Sequence, residues 1–234
     1  MLLVYTSKIT PRLKFVFKQI CTRILNIPVS FTNVIEEFIA HEGLKMSYGA
    51  QPLGSEFFVR SNGLLLEQGL SDLEFNVQTW EDTKCFFSSG EKSHIPFDIF
   101  SAAFYLLSRY EEYLPHVKDR YGRFTKEESL AFKSGFLHQP VIDIWAYKFK
   151  DALQVQYPNY EFESRKFSIN PVIDVPVAYY FKNKGFLRTL GGIGSDLYRF
   201  RFKFLYERFP VLFGFKKDPY DNFKWIINRQ KTTQ

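Results

Sequence analysis

The sequence predicts an α/β fold, a layered, mostly parallel and locally mixed sheet with flanking helices, and three observations carry that expectation. Short apolar runs alternate with stripes spaced at three and four residues, the order strand, helix, strand, helix that builds parallel layers. Asn62-Gly63 between two short runs marks a tight hairpin turn, which makes the sheet mixed. The chain also holds 27 Phe and 14 Tyr among its 234 residues, enough to build a large aromatic core.

Leu2 to Thr6 reads as the first strand. Thr10-Pro11 then supplies an N-cap and a first helical residue, and Leu13, Val16, Phe17, Ile20, Cys21, Ile24 and Leu25 line one helical face up to Asn26. Pro28 to Thr32 is a second strand and Asn33 to His41 a short helix, with Gly43 as its stop. Leu44 to Tyr48 and Ser55 to Arg60 read as strands, and Leu64 to Glu67 as the return of a hairpin through Asn62-Gly63. Thr79 to Phe87 mixes loop and strand. Asp98 caps the strongest helix, whose stripe runs from Ile99 to Leu114.

Periodicity fades from His116 to Leu137, which predicts a long surface connection, either functional or poorly ordered. Pro140 to Leu153 is another long helix, with Val141, Ile144, Trp145, Phe149 and Ala152 inward. Phe167 to Asp174 reads as a buried strand that delivers a carboxylate at its C-terminal end. Gly191-Gly-Ile-Gly194 reads as a turn, since it lacks the frame of a phosphate loop. Leu197 to Phe213 and Pro219 to Asn228 are helical in pattern. Residues 1–165 are expected to form one α/β domain and 166–234 a second region.

The net charge of +6 is unevenly spread. From Lys182 to Lys231 there are twelve Lys and Arg against four acids, so that segment carries +8 and the rest of the chain −2. No apolar run reaches the roughly 18 residues that span a bilayer, and Ser7-Lys8 and Pro11-Arg12 interrupt the apolar start before a signal-peptide core forms. Cys21 and Cys85 read as reduced, buried thiols, which makes a cytoplasmic location the expectation.

Four blocks stand out, Phe97 to Pro115, Asp119 to Phe124, Glu128 to Phe132 and Gly135 to Trp145. Together they resemble the N-terminal domain of bacterial proteins in which an uncharacterised domain precedes a NodB-type polysaccharide deacetylase module. The resemblance implies that residues 1–165 are an accessory domain, and that the run ending in Asp174-Val175-Pro176 opens a truncated deacetylase-type (β/α) barrel. Relatives carry Asp-Val-Asp there, the first Asp acting as base and the second binding the metal. Here only Asp174 matches, a relic or an incomplete base position, because Pro176 has no donor atom. A divalent metal such as zinc is therefore implied for an intact relative and no cofactor for this chain.

The residues themselves say the same. A catalytic zinc needs about three protein ligands and an open position, and His41, His94, His116 and His138 stand isolated. No nucleophile motif is present. Arg109, Glu111, Glu112, Asp119, Arg120 and Arg123 are the densest polar cluster, and Arg109 with Glu112 forms a structural ion pair in the simpler reading. In the other, Arg109, Tyr110, Glu112, Tyr113, Tyr121, Arg123 and Trp145 form a shallow glycan-binding surface in which rings stack on sugars. The basic, aromatic run Leu197 to Tyr206 also reads two ways. It lies on an anionic membrane surface, through residues 182–231, or packs against a barrel that this chain lacks, with self-association as a consequence. Nucleic acid ranks behind both.

Overall fold

The structure, a computed structural model, describes residues 1–163 and 169–232. The chain divides into two compact units, Met1–Lys166 and Phe167–Gln234. In the first, strands β1 (Leu2–Tyr5), β2 (Val29–Thr32), β3 (Lys45–Gly49) and β4 (Phe57–Arg60) form one parallel sheet in the order β2-β1-β3-β4. Helix α1 (Pro11–Phe17) follows β1, its N-terminus capped by Thr10, whose hydroxyl accepts from the Leu13 amide. It widens over Lys18–Ile24 into π-helical turns, with Leu25 N donating to Ile20 O at 3.1 Å. Asn26 stops it in the left-handed conformation at φ 57°.

Alternation along the strands sorts the two faces. Leu2 and Val4 of β1, Met46 and Tyr48 of β3 and Phe57 and Val59 of β4 are fully or almost fully buried on one side. There they meet α1, α3 (Ile99–Leu107) and α5 (Val141–Gln156). Phe17 stacks on Phe100 at 3.7 Å, Tyr48 meets both edge-on, and Phe149 reaches Phe57 and Phe100. The other side is thinner. Tyr5 packs on Phe38 of α2 (Ile35–Ala40), at 5.5 Å between rings. The aromatic core expected from composition is therefore built at the α1, α3 and α5 interface, from stripes at the expected spacing in α1 and α5 and from an α3 that is buried on all sides from Ile99 to Tyr105.

Asp98 shows why α3 starts where it does. Its Oδ1 accepts from Phe100 N at 3.1 Å and Ser101 N at 3.0 Å, while Oδ2 accepts from Tyr48 OH at 2.7 Å and Asn62 N at 2.8 Å. The cap thus ties α3 to β3 and to the turn after β4. Burial pushes its carboxyl above the ordinary range, against the hydrogen bonds that pull it down.

The hairpin expected at Asn62-Gly63 does not form. Leu64 to Leu66 make a turn, and β4 pairs with β3 in parallel. Leu64 and Leu65 are buried, and Arg12 and Thr10 take the carbonyls of Leu64 and Leu65, so side chains replace a strand ladder. The antiparallel pair lies later, between β5 (Gln78–Trp80) and β6 (Thr83–Cys85). The stripe assigned to a helix through Leu114 ends at Leu107, since Ser108 caps it and Arg109 turns left-handed at φ 53°. The expected long connection from His116 to Leu137 is ordered: it holds a bridge between Lys118 and Phe124, a 3-10 turn over Lys126–Glu128 and α4 (Leu130–Lys133).

In the second unit, Phe167 and Ser168 lie outside the described residues, and the run from Ile169 to Asp174 is neither a strand nor buried, with Val172 93% exposed. No sheet covers it among the described residues. The Gly191 to Gly194 stretch is no turn but the middle of α6 (Phe186–Tyr198). The helical run expected from Leu197 to Phe213 is broken at Phe200, φ 54°, so that α7 spans Phe202–Leu212; α8 spans Phe223–Thr232. The described elements of this unit show helices and no barrel strand. No helix of the described residues is long and apolar enough to cross a membrane.

Candidate functional site

Three of the blocks that carry the resemblance fold around one cleft of about 290 Å³ in the first unit, lined by Asp72, Tyr105, Glu111, Leu114, Pro115, His116, Phe124, Glu128, Leu130 and Lys133. The left-handed Arg109 starts this arrangement. It reverses the chain after α3, and the 3-10 turn Tyr110–Tyr113 then carries Glu111 back, where its Oε2 accepts from Leu130 N at 2.8 Å. Ser129 caps the same short helix through Phe132 N. Tyr110 acts from behind: its hydroxyl accepts from Ser71 N at 2.9 Å and donates to Ser71 O at 3.1 Å, which holds the segment bearing Asp72.

The polar groups of the cleft are carboxylates, a hydroxyl, an imidazole and an ammonium. Burial raises the Glu111 carboxyl above its ordinary range, with Glu112 adding to the effect and Leu130 N and Lys133 opposing it. Burial, followed by the charges of Glu111 and Asp72, pushes the Tyr105 hydroxyl up to about 12. Tyr105 therefore stays a donor. His116 Nδ1 lies 2.8 Å from Leu114 O; a carbonyl only accepts, so Nδ1 is the donor in this contact. Its ring packs edge-on against Phe124 at 4.9 Å. Lys133 lies 3.6 Å from Glu128.

The residues singled out in sequence scatter. Trp145 is fully buried, its Nε1 donating to Lys84 O at 3.0 Å and its ring beside Phe86 and Phe97. Tyr110 is buried as well, so neither ring offers a face to a ligand. Arg109 and Glu112 form the expected exposed ion pair. Tyr113 is exposed, as is Tyr121, which lies between the Arg120 and Arg123 guanidinium groups at 4.7 and 4.8 Å. Arg123 is also held by Asp119 at 3.1 Å, and Asp119 accepts from the Tyr121 and Arg123 amides, which close the loop. None of these seven lines the cleft. Asp174 is exposed in the second unit, and the described residues hold no group of three His, Cys, Asp or Glu placed to share a metal ion.

The cleft residues Asp72, Tyr105, His116, Glu128 and Lys133 were not among the sequence candidates, and Glu111 was noted only as part of the charged cluster. They come from six different segments, and the ordered 116–137 loop brings them together. The available signal was local: Asp119 and Gly122 flank an Asx-type turn, and Ser129 precedes a short apolar run as an N-cap does.

Residues 2–158, which include the whole cleft, match the model of a family described as a family of unknown function, DUF7033. The chain belongs to that family. No curated protein and no solved structure matches it. The family match spans the four-stranded sheet, α1 to α5 and every cleft residue, and ends before the exposed 169–178 segment.

Proposed function

We propose that residues 1–165 are the non-catalytic accessory domain of a polysaccharide-deacetylase-like protein, and that the Glu111 cleft holds a glycan chain for it. The observation that carries the reading is the convergence of the Phe97 to Pro115, Asp119 to Phe124 and Glu128 to Phe132 blocks on one cleft. The cleft's chemistry suits a neutral, hydroxyl-rich ligand. Carboxylates at Asp72, Glu111 and Glu128 accept from hydroxyls, Tyr105 and Lys133 donate, and Phe124 adds an apolar surface for a sugar ring. The exposed run from Ile169 to Val177 supports the link to a deacetylase-like protein. An apolar segment without a sheet suits the opening strand of a module, with Asp174 in the base position and Pro176 where relatives carry a metal ligand.

Isothermal calorimetry of the chain with soluble N-acetylglucosamine oligomers tests the glycan role. The expected result is weak, saturable binding that Glu111→Gln and Phe124→Ala each reduce by about tenfold, the loss of one or two hydrogen bonds or one ring contact. Binding equal in the wild type and both variants would sink the assignment. In a parallel assay with added zinc, the chain alone should release no acetate from these oligomers.

A further inference from the structure

Helix α6 is inside out. At 100° per residue, Phe186, Leu187, Leu190, Leu197 and Tyr198 fall within an arc of about 120°, and all five are exposed, Phe186 at 76%, Leu187 at 83% and Tyr198 at 86%. Its inward side is mostly polar, with Thr189 and Ile193 half-buried beside Asp196. Asp196 is buried in an ion pair with Arg208 of α7, and the Arg208 guanidinium lies over Gly192 so closely that a Cβ there would meet Nη1. A soluble helix buries its apolar stripe and shows its charges; this one does the reverse.

Helix α7 also carries an exposed apolar stripe, although it buries Val211 and half-buries Phe204 and Leu205. Phe202, Tyr206, Phe209 and the C-cap residue Phe213 recur at four, three and four residues and are exposed, while Val211 and Arg208 face inward. Around these stripes the charge is of one sign. Of the four acids between Lys182 and Lys231, Asp196 and Asp218 are buried, and Glu207 and Asp221 are half-buried. Asp218 is spent on the backbone amides of Tyr180, Phe181, Lys182 and Tyr220. Arg188, Arg199, Arg201, Lys203, Lys216 and Lys217 are exposed.

We propose that α6 and α7 dock on an anionic lipid surface, their outward apolar stripes entering the boundary between headgroups and acyl chains and the flanking Arg and Lys pairing with anionic headgroups. Charge selects this occupant. A second copy would set one +8 segment against another. Nucleic acid would satisfy the cations and stack on the rings, but Leu187, Leu190 and Leu197 have no use there, whereas acyl chains accept aliphatic and aromatic side chains alike. The proposal goes beyond the accessory role and does not depend on the Glu111 cleft.

Co-sedimentation of the whole chain with phosphatidylcholine vesicles, with and without phosphatidylserine, tests it. The chain should pellet with the anionic vesicles at low salt, partition at least about tenfold less onto the neutral ones, and be released as salt rises past the range where surface charges are screened. The double variant Leu187→Glu, Tyr206→Glu should lower partitioning by more than about tenfold with an unchanged circular dichroism spectrum. If that variant loses helix content, Leu187→Ser and Tyr206→Ser, each at a solvent-facing position, take its place with the same expectation. Failure to pellet with anionic vesicles at low salt overturns the proposal, and so does undiminished partitioning of the variants. Sedimentation velocity showing a dimer that the variants dissociate and vesicles do not would assign the face to a second copy. Retention on single-stranded DNA that exceeds vesicle binding and ignores the variants would assign it to nucleic acid.

Discussion

Asp98 and Asp218 are both buried carboxylates surrounded by donors, yet they respond to pH in opposite directions. At Asp98 burial prevails and the folded-state pKa lies above the ordinary value. The folded protein then binds that proton more tightly than the unfolded chain, so this group's contribution to stability is greatest below the ordinary carboxylate range and declines as pH rises through the raised value. At Asp218 burial acts the same way, but four backbone amides outweigh it and the pKa is lowered. Its contribution is complete above the ordinary carboxylate range and is lost as pH falls through the lowered value. Asp218→Asn should therefore flatten the acid limb of a stability-against-pH curve for the second unit, read by urea unfolding at a series of pH values; an unchanged acid limb would show that those amides do not hold a charge. Asp98→Ala is expected to cost about 3 kcal/mol or more in urea unfolding, because it removes a helix cap, leaves Asn62 N without its acceptor and leaves Tyr48 OH with only Ser101 Oγ. Asp98 was legible as a cap from Pro96-Phe97-Asp98 and the stripe after it. Asp218 was not, since its partners lie about forty residues earlier in a segment with no period.

The element scale separates what periodicity reveals from what it hides. The faces of α1 and α5 were legible because one side of each is buried, so the stripe spacing is the packing, whereas α3 is buried all round from Ile99 to Tyr105 and its stripe member Leu107 is exposed. Asn62-Gly63 misled because the turn signal is local, whereas the fate of Leu64 to Glu67 was decided by Thr10 and Arg12, distant side chains that accept the role of a strand partner. In the second unit the stripes of α6 and α7 are as regular as those of α1, but they face outward, so a stripe tells which residues share a face and not what that face meets. The consequence is a gradient of local stability. Backbone amides from Phe100 to Leu107 should exchange with solvent only through global opening, while those from Val172 to Val177, which have no ladder partners among the described residues, should exchange at nearly unprotected rates. Limited proteolysis should likewise cut between Lys182 and Lys217 before it cuts α3. Equal protection of both regions in hydrogen exchange would mean that the exposed segment has found a partner.

At the scale of the molecule, two units of different character share one chain. Met1–Lys166 holds the parallel sheet, the aromatic core and the Glu111 cleft, and its fold follows the layer rules that its sequence obeys. Phe167–Gln234 concentrates the positive charge and most of the strongly exposed aromatic residues. Urea unfolding should accordingly show two transitions, the earlier one carrying the exchange-labile second unit; one cooperative transition seen by every probe would contradict this. The α/β class and the helix faces were readable because they are properties of single segments. The cleft was not, because it is assembled by a left-handed residue, a tyrosine clamp and an ordered loop, none of which has a period. The most direct measurement of the central claim, that this cleft holds a glycan, is a two-dimensional NMR titration of the labelled chain with an N-acetylglucosamine tetramer. Progressive, saturable shifts at the amides of Glu111, His116, Phe124, Leu130 and Lys133 are the predicted result; an unchanged spectrum at millimolar tetramer, or shifts confined to residues away from the cleft, would contradict it.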